Sequence, residues 1–345
     1  MKAAVLERLG EPLSMREVPV PSIAEGEALV ETSFCGICGT DLHILEGRGY
    51  VPRLPHILGH EPCGVVARVA GPVEGLRVGD RVVPYLFVTC GSCRYCRSGR
   101  DSMCSNLGGI IGVTTDGAFA RFFRAPARNL FRLPDGVPPE VGALTADAVI
   151  TSVHAVYDRG AVPSASTAAV IGAGGVGQVV IQLLKHRGLS VVAVSRSEAK
   201  LAVARSMGAD EAWRAGDPGM GALSRSVSAD GLDVVFDCVG SEESMRDALA
   251  MVRRCGRLVV VGEEDGARLP ADSTRIAQHE LEVVGSRNGT RSNMETALDL
   301  LGRGVVRPLV SDVLPLEDAN EALRRVRAGA AGRVVLSVGR PAGID

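Results

Sequence analysis

Aromatic side chains are scarce: the 345 residues hold one Trp, four Tyr and seven Phe. A core must then be built from Val, Leu, Ile and Ala, and the ring platforms on which single-stranded nucleic acids stack are not expected. Excess charge is missing too. Lys and Arg number 38 against 40 Asp and Glu, a net charge of −2, so no basic footprint for a nucleic-acid backbone is visible. No apolar run approaches the roughly 20 residues that span a bilayer. The apolar stretch before Glu7 is too brief for a secretion signal. These absences predict a cytoplasmic protein with neither a membrane nor a nucleic-acid partner.

What is present points to a globular chain, with 46% apolar and 23% charged residues. At roughly 100–200 residues per domain, the length allows two domains or one large one. Cysteines number nine, an odd count, and four crowd between Cys90 and Cys104. In a reducing compartment that crowding reads as metal rather than disulfides.

Up to about Ala146 the chain reads as short β segments such as Glu27–Glu31, Gly64–Val69 and Asp80–Pro84. Turns such as Gly71-Pro72 and Val78-Gly79-Asp80 punctuate them, which predicts an antiparallel, barrel-like unit. The texture then changes. Thr167–Ile171 reads as a buried strand, followed by a Gly-rich turn and a helix from Gly175 to about Arg187. Strand Ser190–Val194, helix Glu198–Met207, strand Leu232–Phe236, helix Ser241–Val252 and strand Arg257–Val261 follow. This alternation predicts an α/β unit with a doubly wound parallel sheet. A helix at Asn293–Leu301 and a strand at Gly332–Val338 finish the chain.

Gly172-Ala173-Gly174-Gly175-Val176-Gly177 fits G-x-G-x-x-G directly after an apolar strand and at the start of a helix. Gly172 makes the tight turn, Gly174 lets backbone N–H groups approach a pyrophosphate, and Gly177 allows close helix–strand packing. Such a turn can be purely structural, but its setting favours a dinucleotide. About 20 positions on, where a carboxylate would bind the adenosine ribose 2′-hydroxyl, the chain has Ser195-Arg196-Ser197. The absent carboxylate removes repulsion of a 2′-phosphate, and the Arg196 guanidinium can pair with one. NADP(H) is therefore favoured, with NAD(H) the alternative and a merely solvated Arg196 the bland reading.

Cys90, Cys93, Cys96 and Cys104 give C-x2-C-x2-C-x7-C, which closes a tetrahedral Zn²⁺ shell with no open position. An iron–sulfur cluster competes for such a set. A second group is dispersed: Cys38, His60 and Asp147 would supply S, N and O to a metal with one position left for substrate. Spacing alone does not select these three, since a buried thiol, a core His or a helix-capping Asp would read the same.

Together these motifs resemble the zinc-dependent medium-chain alcohol and polyol dehydrogenases. The resemblance runs along essentially the whole chain, through Cys35–His43 (CGICGTDLH), Gly59–Val66 (GHEPCGVV), the four-cysteine lobe, Leu144–Val156, the Gly172–Gly177 turn and Val283–Thr290. It implies a GroES-like β-barrel catalytic domain over 1–145 and 288–345, and a Rossmann dinucleotide-binding domain over 146–287. It also implies one catalytic and one structural zinc per chain. By the same likeness Cys38, His60 and Asp147 ligate the catalytic metal, Glu61 is an acidic neighbour able to swing onto it, and Asp41 orients the ligand His. Thr40 and His43 match a proton relay out to solvent, and Arg333 sits where relatives often place a basic residue near the cofactor. Cys35 and Cys38 formally make C-x-x-C, but with Cys38 assigned to zinc a redox role is rejected.

The expected activity is reversible hydride transfer between NADP(H) and a secondary alcohol, polyol or sugar-like alcohol, with the matching carbonyl as the other small-molecule partner. Residues near Tyr50, Phe87, Ile110 and Asn288 are expected to line the substrate pocket. The alternatives are a zinc-containing reductase of a conjugated C=C bond and a non-catalytic NADPH-binding protein on the same scaffold. Family likeness favours a homotetramer, with a dimer as the alternative.

Overall fold

The computed structural model describes residues 1–161, 163 and 166–339; residues 340–345, the end of the expected 288–345 segment, lie outside the described ones. The chain divides into two compact units. One comprises Met1–Asp147, Thr290–Arg303 and the chain from Pro308; the other comprises Ala148–Gly289 and Gly304–Arg307.

The first unit opens with β1 (Lys2–Leu6), β2 (Ser14–Glu17), β3 (Glu27–Ile37), α1 (Gly39–Leu45), β4 (His56–Ile57), β5 (Glu61–Val69) and β6 (Arg81–Pro84). It continues with α2 (Arg94–Arg97), β7 (Phe122–Pro126), β8 (Leu130–Arg132) and α3 (Pro139–Gly142). The second unit holds α4 (Ala148–Val153), β9 (Thr167–Ile171), α5 (Gly175–His186), β10 (Ser190–Ser195), α6 (Glu198–Ser206), β11 (Glu211–Arg214) and α7 (Met220–Val227). It closes with β12 (Leu232–Asp237), α8 (Glu242–Met251), β13 (Val252–Val260), α9 (Ser273–Gln278) and β14 (Glu282–Gly285). The chain returns to the first unit through α10 (Arg291–Gly302), β15 (Val310–Pro315), α11 (Ala319–Arg327) and β16 (Arg333–Ser337).

In the first unit, β3 is the spine. It pairs antiparallel with β5, β7 and β16 in a sheet ordered β15-β16-β3-β5-β6-β8. Two register shifts against β5, at Leu29/Val30 and Thr32/Phe34, bend this long strand. Register also builds the site: Gly36 lies opposite Glu61 and Cys35 opposite Pro62, so the end of β3 and the start of β5 bring Cys38 beside His60. Between Glu27 and Arg132 the strands of this sheet pair antiparallel, as expected for that stretch; the returning segment differs. β15 and β16 run parallel, because α11 supplies the crossover that a parallel pair requires.

The second unit carries a fully parallel sheet ordered β11-β10-β9-β12-β13-β14. From β9 the chain runs outward to β10 and β11, then crosses to β12, so the order reverses between β9 and β12. The central strands are apolar on both faces: Ala168, Ala169 and Val170 of β9 and Val191, Ala193 and Val194 of β10 are fully buried. Helix α5 packs Gly177, Val180, Ile181 and Leu184 inward, an i, i+3, i+4, i+7 stripe. Among the described residues no helix is long and apolar enough to cross a membrane.

At the N-terminal edge of this sheet, Asp233 ties β12 to β9. Its carboxylate accepts the Thr167 N–H at 2.7 Å and hydroxyl at 2.8 Å, and pairs with Arg253 at 2.7 Å. Burial opposes ionisation, yet the Thr167 hydrogen bonds and the Arg253 charge hold this carboxyl below its usual range. A folded-state pKa lowered in this way adds stability above the unfolded pKa of about 3.9 and loses it as pH falls through the folded value. Asp233→Asn is therefore expected to lower Tm at pH 7 by about 2–4 °C. That deficit shrinks as pH drops towards 3, which thermal melts across pH 3–7 measure.

Candidate active site

Cys38 is the N-cap of α1, in extended backbone at φ −109° and ψ 164°. Asp41, three residues on, turns its carboxylate back to accept the Cys38 N–H at 2.8 Å, which fixes where the thiol points. The other Asp41 oxygen meets His60 Nδ1 at 3.2 Å, leaving Nε2 as the ring's outward donor. That Nε2 lies 3.9 Å from Asp147 Oδ2, and Cys38 Sγ lies 3.4 Å from the same oxygen. Asp147 ends the turn Ala143–Ala146 and so closes the first unit. Cys38, His60, Glu61 and Asp147 each offer one donor atom, all within 4.8 Å of one another.

These donors fit zinc. Bond lengths of about 2.3 Å to S and 2.0 Å to N or O put tetrahedral neighbours roughly 3.3–3.6 Å apart, close to the 3.4 Å between thiol and carboxylate. One buried oxygen, Glu61 Oε2, has no hydrogen-bond partner, while Glu61 Oε1 accepts from Arg333 at 2.6 Å. Arg333 also lies 3.8 Å from Asp147. Burial pushes the Glu61 carboxyl up to about 8, Asp147 adds to the rise and Arg333 opposes it. Burial works against imidazolium at His60, but the Asp41 charge and hydrogen bond raise it well above its ordinary value. At half-buried Asp147 desolvation opposes the charge, but the neighbouring His60 and Arg333 charges hold the carboxyl below its usual range. A set of acidic donors with one guanidinium beside it is the electrostatic setting of a divalent cation.

The relay candidates sit on α1. Thr40 Oγ1 is 3.8 Å from Cys38 Sγ, at the rim of the donor set, and His43 lies half-buried in the last turn. Phe87 and Ile110, expected near the pocket, pair as an isolated β-bridge and are buried. Tyr50 is half-buried on the loop after α1, whereas Asn288 belongs to the other unit.

The second cluster is Cys90, Cys93, Cys96 and Cys104. Sulfur separations of 3.5 Å for Cys93–Cys96, 3.5 Å for Cys90–Cys104 and 4.0 Å for Cys90–Cys96 bracket the roughly 3.8 Å edge of a tetrahedral Zn–S₄ shell. They are far beyond a disulfide's roughly 2.05 Å. Backbone N–H groups aimed at the sulfurs pull Cys93 down to about 5 and Cys90 to about 7, whereas desolvation and the neighbouring thiols push Cys96 up to about 12, so the cluster favours thiolate at two of its sulfurs before any metal compensates the rest. The lobe also anchors the unit. Buried Asp101 accepts the Arg291 backbone N–H at the start of α10 at 3.3 Å, and the Arg291 guanidinium stacks 5.0 Å above Phe131. Cys104→Ser is expected to lose one zinc per chain and lower Tm by about 10 °C or more, on the scale of a structural zinc contribution. Metal analysis and calorimetry read both effects.

In the second unit the glycine turn lies between β9 and α5. Gly172 adopts φ +92°, and a Cβ on Gly177 would fall 1.9 Å from the Gly172 carbonyl oxygen. Gly174 is the N-cap and supplies no side-chain cap, so the first N–H groups of α5, from Gly175 and Val176 onward, are left for an anion. Ser195 ends β10, Arg196 is exposed, and Ser197 caps α6 by accepting the Lys200 N–H. Sequence reasoning missed Lys200. Its ammonium is held below its ordinary pKa, chiefly by burial and then by the Arg196 charge.

A Rossmann-type unit joined to a β unit with a four-cysteine lobe and a Cys–His–carboxylate metal set defines a metal-dependent dehydrogenase. Residues 24–135 match the alcohol dehydrogenase GroES-like domain family and residues 175–303 the zinc-binding dehydrogenase family. An alcohol dehydrogenase of Geobacillus stearothermophilus is 38% identical over 98% of this chain and 99% of its own length. An NAD-dependent alcohol dehydrogenase of Sulfolobus acidocaldarius is 31% identical over 98% of this chain and 100% of its own. The crystal structure of the alcohol dehydrogenase from Aeropyrum pernix superposes with a TM-score of 0.92 at 33% identity, covering 98% of this chain and 100% of that one. The chain belongs to the zinc-dependent medium-chain alcohol dehydrogenase family, whose members are alcohol oxidoreductases working with zinc and a nicotinamide dinucleotide.

Proposed function

We propose that this enzyme transfers hydride reversibly between NADP(H) and a secondary alcohol, polyol or sugar-like CH–OH group. The observation that carries the reaction is the convergence of Cys38, His60 and Asp147 with the Thr40 hydroxyl at their rim. These three residues would hold the catalytic zinc, with Glu61 Oε2 as a reserve donor beside them. When bound there, zinc supplies the Lewis acidity that makes an alcohol hydroxyl easier to ionise. Asp41 keeps the His60 ring in place, the Thr40 hydroxyl accepts the alcohol's proton as it gives up its own, and His43 would deliver the relayed proton to solvent. The alcohol carbon, having lost that proton from its oxygen, gives its C–H hydride to the nicotinamide and becomes a carbonyl.

The coenzyme preference rests on Arg196, just after β10, and Lys200, in the first turn of α6, two cations near one another. The nearest carboxylate in sequence, Glu198, is turned to Arg205 at 3.2 Å. Two cations with the nearest carboxylate in sequence paired elsewhere favour a 2′-phosphate. Family likeness also supports a cytoplasmic homotetramer, which light scattering tests against the 36.0 kDa chain.

The test of the reaction is nicotinamide absorbance with zinc-loaded protein, offering secondary alcohols, polyols and the matching carbonyls with NAD(H) and NADP(H). Turnover of alcohols with NADP⁺ preferred is expected. Saturation of an enone C=C bond in place of its carbonyl would sink the proposed chemistry, and a preference for NAD⁺ would sink the Arg196 argument.

A further inference from the structure

Asp237 is a fully buried carboxylate that neither the metal sites nor the glycine motif accounts for. It ends β12, the strand beside β9 where the order of the parallel sheet reverses. In sheets of this kind a ligand lies across the carboxyl ends of the strands at that reversal. No cation pairs with Asp237 among the described residues. It is instead met by hydrogen-bond donors: Val239 N–H at 2.9 Å and Gly240 N–H at 3.1 Å on Oδ1, and the Ser244 hydroxyl at 2.8 Å on Oδ2. Ser244 belongs to the capping box of α8, so the carboxylate joins the turn after β12 to the start of the next helix.

The turn it holds abuts the phosphate loop. Cys238 N–H donates to the Ile171 carbonyl at 2.8 Å, one residue before Gly172. A Cβ on Gly172 would lie 2.7 Å from Val239 Cγ2. On its far side the turn meets backbone: a Cβ on Gly262 would fall 2.4 Å from the Val239 carbonyl carbon, and the Gly262 N–H donates to the Asp237 carbonyl at 2.9 Å. Clamped in this way, Val239 remains 36% exposed, an apolar side chain presented beside the phosphate turn.

We propose that Asp237 is a positioning residue for the dinucleotide: its carboxylate fixes the Cys238–Gly240 turn so that Val239 forms an apolar wall continuous with the Gly172 turn. A buried charge satisfied only by two backbone N–H groups and one hydroxyl costs more than a neutral side chain, and a defined loop conformation is what that cost secures. The inference rests on the reading of this unit as the dinucleotide site.

The experiment measures NADPH and NADH dissociation constants by fluorescence, with steady-state kinetics and melting curves, on the full-length zinc-loaded enzyme. Wild type must first bind a dinucleotide; if it binds neither, the dinucleotide reading fails and takes this inference with it. Asp237→Ala is expected to raise the dinucleotide Kd and KM about tenfold, the scale of one or two lost hydrogen bonds. The alcohol KM and the kcat at saturating dinucleotide stay within about threefold, a split that general destabilisation would not produce. Asp237→Asn, whose carbonyl still accepts the two N–H groups, restores affinity to within about threefold. A folded Asp237→Ala with wild-type affinity overturns the proposal, as does an Asn variant of wild-type stability that binds as poorly as Ala. Should the Ala variant fail to fold, Ser244→Ala decides: a Kd raised about threefold supports positioning, and an unchanged Kd overturns it.

Discussion

His60→Ala is expected to lower kcat by about 10³-fold and to reduce bound zinc from two ions per chain to one, while the fold survives. The ring is buried, one nitrogen held by Asp41 and the other facing Asp147 and Cys38. Its loss leaves Cys38 and Asp147 without a neutral donor, and Glu61, tied to Arg333 and with its ionisation opposed by burial, is a poor third ligand. The rate effect follows from losing several kcal/mol of charge stabilisation on the reacting oxygen. The fold is expected to persist because β3 and β5 are paired over Ala28–Gly36 and Glu61–Val69 without help from the ring. The four-cysteine lobe is a separate cluster and keeps its own ion. Asp41→Asn touches the same ring indirectly and should cost less, about 10–100-fold in zinc affinity or rate. Metal analysis beside kcat distinguishes the variants, and undiminished turnover in His60→Ala would show that the ligand assignment is wrong.

Why some of this was readable in sequence and some was not follows from distance along the chain. The phosphate turn and the four-cysteine lobe are local, each contained in a short window, and strand Thr167–Ile171 before the turn has the expected bounds. Cys38 and Asp147 stand 109 positions apart, and Arg333 stands 272 from Glu61. No periodicity connects such residues; only family likeness named the candidate ligands, and the β3–β5 register and the return of β16 to β3 show how Cys38, His60, Glu61 and Arg333 come together. Arg333, expected near the cofactor, lies against Glu61 in the metal-donor cluster. Short edge strands escaped for a different reason. Glu211–Arg214 and Glu282–Gly285 are four residues each and largely half-buried or exposed, and they exist because a parallel neighbour supplies their hydrogen bonds. Asp237 escaped because an Asp before a Cys-Val-Gly turn looks like ordinary loop chemistry until its burial is known.

The coenzyme assignment makes the second large prediction. Arg196→Asp should change the ratio of kcat/KM for NADP⁺ to that for NAD⁺ by about 10²–10³-fold in favour of NAD⁺. Two effects act in the same direction. The substitution removes a charge-assisted contact worth about 1.5–3 kcal/mol to a phosphate. It also places a carboxylate where it repels that phosphate yet can accept from a free 2′-hydroxyl. Lys200 tempers the outcome. Its ammonium is near Arg196 and would pair with the new Asp, cancelling some of the repulsion of the phosphate. Arg196→Asp combined with Lys200→Ala is therefore expected to shift the ratio further than either change alone, and by more than their separate effects combined, because the two side chains share one anion. Lys200→Ala alone should weaken NADP⁺ about tenfold and leave NAD⁺ within about twofold. A wild-type enzyme that already prefers NAD⁺, or an Arg196→Asp variant whose ratio does not move, would mean that Arg196 is only a solvated side chain at a strand end.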